Sequence, residues 1–184
     1  MEKVIISVLG PDRPGIIASI SRILYEQDCN IENISQTILQ SEFSGIFIVA
    51  LPSDQTAERL HKDLNQELNP LDLQAFIRHL RHNTVDTSDI ECQPFVITSK
   101  GPDRKGLVAG ITEVIARYGA NVTHLQAIFK GGEDPLNNIM IYEVDVPPDI
   151  DQQAFYNDLR SKAQDLALEI SIQHRNIFEA INRI

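Results

Sequence analysis

The 184-residue chain has no tryptophan, two cysteines, two methionines and 6% aromatic residues. The cysteines, Cys29 and Cys92, lack metal-ligand spacing and are too few for a disulfide framework, so the fold has to rest on its apolar core. Positive charge is scarce as well: 16 Lys and Arg stand against 26 Asp and Glu, a formal net charge of −10. A surface this acidic repels phosphate backbones and anionic lipid, and no basic cluster offsets it. Neither direct nucleic-acid binding nor membrane binding is therefore expected. Any part in gene control would run through a protein partner. Long apolar runs are also lacking. The stretch "KVIISVL" near the N-terminus is far too short for a signal peptide or for the ~20 residues of a membrane span, and a cytoplasmic location is expected.

What the sequence does contain is a repeat. "VLGPDRPGII" at 8–17 is answered by "SKGPDRKGLV" at 99–108. Placing Gly10 on Gly101 gives an offset of 101 − 10 = 91, which also pairs Ile6 with Ile97, Asp12 with Asp103, Arg13 with Arg104, Gly15 with Gly106, Ile20 with Ile111 and Asn30 with Asn121. A copied unit of this length predicts two similar domains. We expect them at 1–82 and 92–175, with a polar linker at 83–91 and a short docking segment at 176–184.

Within each copy the periodicity alternates between strand and helix. "KVIISVL" and "QPFVITS" are short, apolar and β-branched, as buried strands are. Ile16, Ile20, Ile23 and Leu24 then recur at helical spacing, as do Leu107, Ile111, Val114, Ile115 and Tyr118. "NIENISQTILQ" and "GIFIVAL" predict two strands, matched by "NVTHLQAIFK" and "NIMIYEVDV". Helical patterns follow Pro52 and Pro147, and "LDLQAFIRH" or "LALEISIQH" closes each copy. The order strand, helix, strand, strand, helix, strand predicts a ferredoxin-like βαββαβ α+β sandwich, twice over.

The repeated turn joins the first strand to the first helix, so its chemistry is that of a helix N-terminus, where free amides and a partial positive charge attract anions. Pro14 suits the first helical turn. Asp12 and Asp103 fit either helix N-caps or ligand contacts. Arg13 and Arg104 fit either solvated surface charges or anion contacts. Asn30 and Asn121, at the entry to the second strand, fit turn residues or amide contacts to a ligand. Gly10 and Gly15 have the glycine spacing of a phosphate-binding P-loop. Ile16-Ile17 and Leu107-Val108, however, stand where that loop needs Lys and Ser/Thr.

Strand, "GPDRPG", helix, then Asn at the next strand resembles the ACT domain, over nearly the whole chain and in both copies. The resemblance implies a ligand, often an amino acid, held by the first strand-to-helix loop and the start of the second strand. On this chain those positions are Gly10, Asp12, Arg13, Gly15 and Asn30, and Gly101, Asp103, Arg104, Gly106 and Asn121. Tandem ACT chains resemble regulators of the glycine cleavage system. That implies an amino acid such as glycine as ligand, control of metabolism or transcription through a regulatory protein partner, and homo-oligomers. The same loop occurs in the ACT part of formyltetrahydrofolate deformylases, whose hydrolase domain finds no room in these residues. A purely structural, dimerising ACT module remains the alternative.

No catalytic residues, cofactor or metal are expected. No Ser-His-Asp order, HExxH or paired-carboxylate motif is present, and of the five histidines His124 alone falls near Asn121 and the expected site. The two sites are not expected to be equivalent. Lys105 stands in place of Pro14, and "GGEDPLNN" at 131–138 lengthens the middle hairpin of the second copy.

Overall fold

A computed structural model describes residues 2–80, 91–128 and 138–176. Most of the linker expected at 83–91, the hairpin insertion up to Asn138 and the docking segment beyond Asn176 lie outside the described residues. The chain divides into two compact units, Met1–Thr84 and Val85–Ile184.

The first unit runs β1 (Lys3–Pro11), α1 (Ile16–Glu26), β2 (Asn30–Leu39), β3 (Glu42–Ala50), α2 (Ala57–Leu68) and β4 (Gln74–His79). The second runs β5 (Gln93–Gly101), α3 (Leu107–Arg117), β6 (Asn121–Ile128), β7 (Asn138–Val146), α4 (Gln152–Asp165) and β8 (Glu169–His174). Each is the expected βαββαβ sandwich. The sheets have orders β2-β3-β1-β4 and β6-β7-β5-β8, and every hydrogen-bonded neighbour is antiparallel.

The alternation that predicted the strands is the alternation that builds the core. Val4, Ile6 and Val8 of β1 are fully buried, as are Phe47 and Val49 of β3. Ile16, Ile20, Ile23 and Leu24 of α1, with Leu60, Leu64 and Leu68 of α2, cover them. The last strands begin later than their apolar letters imply. Leu71 lies in a short 3-10 turn, Asp72 has φ 58, and β4 starts at Gln74. In the second unit Ala167 has φ 48 and β8 starts at Glu169. Leu73 and Leu168 are buried, each with its amide bonded back to the preceding helix, at Leu68 O and Ala163 O. Apolar character there serves a helix-to-strand corner instead of a strand face.

The two cores differ at one end. Tyr142 of β7 is fully buried and donates to Met140 Sδ at 3.4 Å. Burial pushes its phenol up to about 12; the nearby Ser99 hydroxyl acts weakly the other way. A pKa raised above the unfolded value of ~10 adds nothing to the pH dependence below pH 10 and is lost as stability between pH 10 and 12. At ~1.4 kcal/mol per unit, about 2–3 kcal/mol should disappear across that window. Urea midpoints measured from pH 8 to 11.5 should fall at the alkaline end, and Tyr142→Phe should flatten the fall.

Candidate functional site

Helix capping sets the repeated loops apart. The helices α2 and α4 are capped by side chains, Thr56 accepting from the Arg59 amide at 3.2 Å and Asp151 from the Ala154 amide at 3.0 Å. The helices α1 and α3 have Gly15 and Gly106 at the N-cap, no side-chain cap and no acidic residue in the first turn. Asp12 and Asp103 are therefore not the caps that the sequence allowed. Pro14 likewise stands before the helix, because Gly15 occupies the capping position. Gly15 has φ 94 and Gly106 φ 89, a left-handed conformation that costs any other residue strain. Nothing stands within 4 Å of where a Cβ would lie on either glycine. These glycines are required by the turn, and they leave the approach to the helix amides open.

Gly10 and Gly101 are glycine for a different reason. A Cβ on Gly10 would meet the Asp72 carbonyl oxygen and stand 2.8 Å from Leu73 Cδ2. On Gly101 it would stand 2.7 Å from Leu168 Cδ2 and 2.8 Å from the Ala167 oxygen. These two residues let the corner before the last strand close against the first strand, which is a requirement of packing.

In the first unit Asp12, Arg13 and Gly15 line a groove of about 290 Å³ together with the first turn of α1, Gln36 of β2 and Phe43 of β3. The Asp12 amide donates to Ser41 O at 2.7 Å, tying the loop to the turn between β2 and β3. No ion pair among the described residues engages Arg13. Its counterpart Arg104 is held, with Nη2 donating to the Asp165 carbonyl at the end of α4 at 3.4 Å. Chemically, the groove offers a carboxylate, a guanidinium and uncapped helix amides within one small space. Those groups suit a ligand that carries both an anion and a cation.

Asn30 and Asn121 are not part of this arrangement within their own units. Asn30 pairs with Ala50, which also faces Lys3, whereas Gly10 faces Phe43. The helix has carried the chain back across the sheet, and the seven residues from Lys3 to Gly10 span about 23 Å of strand. Asn121 pairs with Asp145, opposite Pro94 and equally far from Gly101. His124 faces Glu143 and is exposed at that same far end. Gln36 and Phe43 were missed in the sequence. The signal was the hairpin: once β3 is antiparallel to β1, the tip joining β2 to β3 must lie beside the loop that ends β1.

A larger hollow of about 620 Å³ lies between α2 and β4, lined by residues that include Glu58, His61, Arg78 and His79. Its imidazoles are already engaged. His61 Nε2 contacts Ala75 O at 3.1 Å, and His79 pairs with Glu2. Asn65 both donates to Ala75 O and accepts from its amide, as a neighbouring strand would. The smaller groove is the candidate site, because it alone of the two hollows lies at the repeated loop and the uncapped start of α1. Among the described residues no group of three or more His, Cys, Asp or Glu is placed to hold a metal ion. None of the described helices is long and apolar enough to cross a membrane.

A family model for the ACT domain matches residues 2–78 and again residues 93–173. The chain belongs to the ACT-domain family. ACT domains are regulatory modules that bind small ligands, amino acids among them, and commonly oligomerise. The UPF0237 protein of Methanopyrus kandleri is 36% identical over 80 residues, which is 43% of this chain and 89% of the relative. That of Pyrobaculum aerophilum is 38% identical over 81 residues, 44% of this chain and 90% of the relative. Both match the length of one ACT domain. Among solved structures, an unknown protein from Galdieria sulphuraria has TM-score 0.74 at 23% identity, covering 94% of this chain and 98% of that one. A candidate glycine cleavage system transcriptional repressor has TM-score 0.69 at 18% identity, covering 94% and 96%. At these identities the likeness is one of fold, and it extends over both ACT domains.

Proposed function

We propose that this tandem ACT protein is a non-catalytic sensor of a small amino acid and that it regulates amino-acid metabolism or transcription through a protein partner. The observation that carries this reading is the groove at Asp12, Arg13 and the uncapped start of α1. An amino acid's carboxylate fits the first-turn amides and the Arg13 guanidinium, and its ammonium fits the Asp12 carboxylate. Family membership supports a regulatory ligand over a substrate. The tandem fold shared with a candidate glycine cleavage repressor makes glycine the first ligand to test.

One observation favours association as part of the mechanism. Leu9, Ile46 and Phe76 are 47%, 49% and 53% exposed. They stand together on the face of the first sheet turned away from the helices, around Ser7. A cluster of this kind suits a homo-oligomer or a protein partner.

A thermal-shift screen of the full chain against the twenty amino acids tests the proposal, because a ligand of the native state raises the melting temperature by mass action. At least one small amino acid should raise it in proportion to the logarithm of its concentration. A screen without any shift, repeated by calorimetry, would leave the scaffold reading in its place.

A further inference from the structure

The outer face of the first sheet is apolar at positions where the fold does not need it to be. Ser7 sits at its middle, between Ile5 and Leu9 along β1, with Ile46 of β3 opposite on one side and Phe76 of β4 on the other. Leu9, Ile46 and Phe76 are each about half exposed. The second domain builds the same strand order with other residues on this face. The pairs Ile5↔Ile48, Ser7↔Phe76 and Leu9↔Gln74 correspond to Val96↔Glu143, Thr98↔Ser171 and Lys100↔Glu169. Leu9, Ile48 and Phe76 are thus replaced by Lys100, Glu143 and Ser171. The charges of the second face are engaged within their own domain, where Arg175 reaches Glu143 at 3.1 Å and Asp145 at 3.9 Å. A βαββαβ domain therefore folds without large apolar side chains at these positions, and their clustering on the first face points to a surface that is covered by a partner.

The charges on the same face say which partner. At a net charge of −10 the chain as a whole repels a second copy of itself and attracts basic proteins. The outer face of the first sheet is an exception to that excess. Lys3 and Arg78 on it are balanced by Glu42 and by Glu32, which pairs with Lys3 at 2.8 Å. Arg78 and Glu42 make no ion pair among the described residues. They stand at opposite ends of the face, opposite Ile5 and Pro11, about 20 Å apart along β1. A two-fold axis running across the strands lays the basic end of one copy over the acidic end of the other and brings the two apolar clusters together. An isologous dimer requires a patch that is complementary to itself in this way.

We infer that the protein dimerises through the outer face of its first sheet, with Leu9, Ile46 and Phe76 at the centre of the contact and Arg78 of each copy set against Glu42 of the other. The inference rests on the association reading above and is independent of the ligand. It excludes the second sheet as the contact, because charged residues stand there in place of Leu9 and Ile48. Depletion of charge at the centre with a polar rim is the usual anatomy of such an interface.

Sedimentation equilibrium of the full chain over about a hundredfold range of concentration tests it, since a dimer dissociates by mass action. The expected result is a dimer. Leu9→Lys and Phe76→Ser, which place the second domain's own residues on the first face, should each weaken it by about tenfold or more. Circular dichroism should show both variants folded. Arg78→Glu should weaken the dimer as well, and adding Glu42→Arg to the same chain should restore it, because the two charges then exchange places across the axis. A dimer that Leu9→Lys and Phe76→Ser leave intact, or a charge exchange without restoration, would overturn the inference alone. A monomeric wild type at every concentration would overturn it together with homo-oligomeric association, while a melting-temperature shift in the amino-acid screen would still uphold the sensor reading.

Discussion

Replacing Gly10 by alanine should destabilise the first ACT domain by about 3 kcal/mol, the upper part of the range for overpacking a close contact. The new Cβ would be driven into the Asp72 carbonyl and the Leu73 side chain, and the corner that precedes β4 would have to move. Gly101→Ala should act alike in the second domain, against Ala167 and Leu168. For a domain of this size the loss corresponds to a fall in melting temperature on the order of 10–20 °C. Gly15→Ala is the control. Its Cβ meets nothing within 4 Å, so only the strain of φ 94 remains, about 1–2 kcal/mol. It should therefore melt closer to the wild type than Gly10→Ala, yet bind ligand less well because a methyl group now stands over the approach to the helix amides. Thermal denaturation followed by circular dichroism decides the first point. Wild-type melting of Gly10→Ala would mean that the corner yields freely and that this glycine is not kept for packing.

The second large effect concerns the charge at the loop. Arg13→Ala should weaken the binding of whichever amino acid scores in the thermal screen by about tenfold or more. A hydrogen bond to a charged ligand is worth about 1.5–3 kcal/mol. Arg104→Ala should do less, because Arg104 already donates to the Asp165 carbonyl at 3.4 Å. Asn30→Ala and Asn121→Ala should leave the grooves of their own domains unaffected, since each stands about 23 Å from its loop along the strand. A loss of affinity in Asn30→Ala as large as that in Arg13→Ala would mean that Asn30 reaches a loop other than its own. An Arg13→Ala variant that binds as the wild type would move the anion contact wholly onto the helix amides.

Much of this was legible in the letters because it depends on local periodicity. A strand with one buried face must alternate, and a helix with one buried face must repeat every three to four residues. The 91-residue repeat and the spacing of Ile16, Ile20, Ile23 and Leu24 were therefore enough for the βαββαβ order and for two domains. The place of the repeated turn, between a first strand and a first helix, followed from the same patterns.

What the letters could not decide was set by distance across the sheet. Asn30 is close to Gly10 in sequence, but an 11-residue helix intervenes and returns the chain to the other end, so adjacency in the chain became separation in space. Gln36 and Phe43, distant in the letters, arrive beside the loop because antiparallel pairing brings the β2–β3 turn next to the end of β1. The capping role open to Asp12 was closed by Gly15, whose left-handed backbone starts the helix three residues later. The difference between the two cores is likewise a property of register. Val8, Phe43, Gly45 and Phe47 form one surface only when β1 and β3 are paired, and Ser99, Asn138, Met140 and Tyr142 form its counterpart only in the pairing of β5 with β7. Periodicity determines which face of an element is buried. Pairing determines which buried residues meet, and in this protein that is where the two domains part.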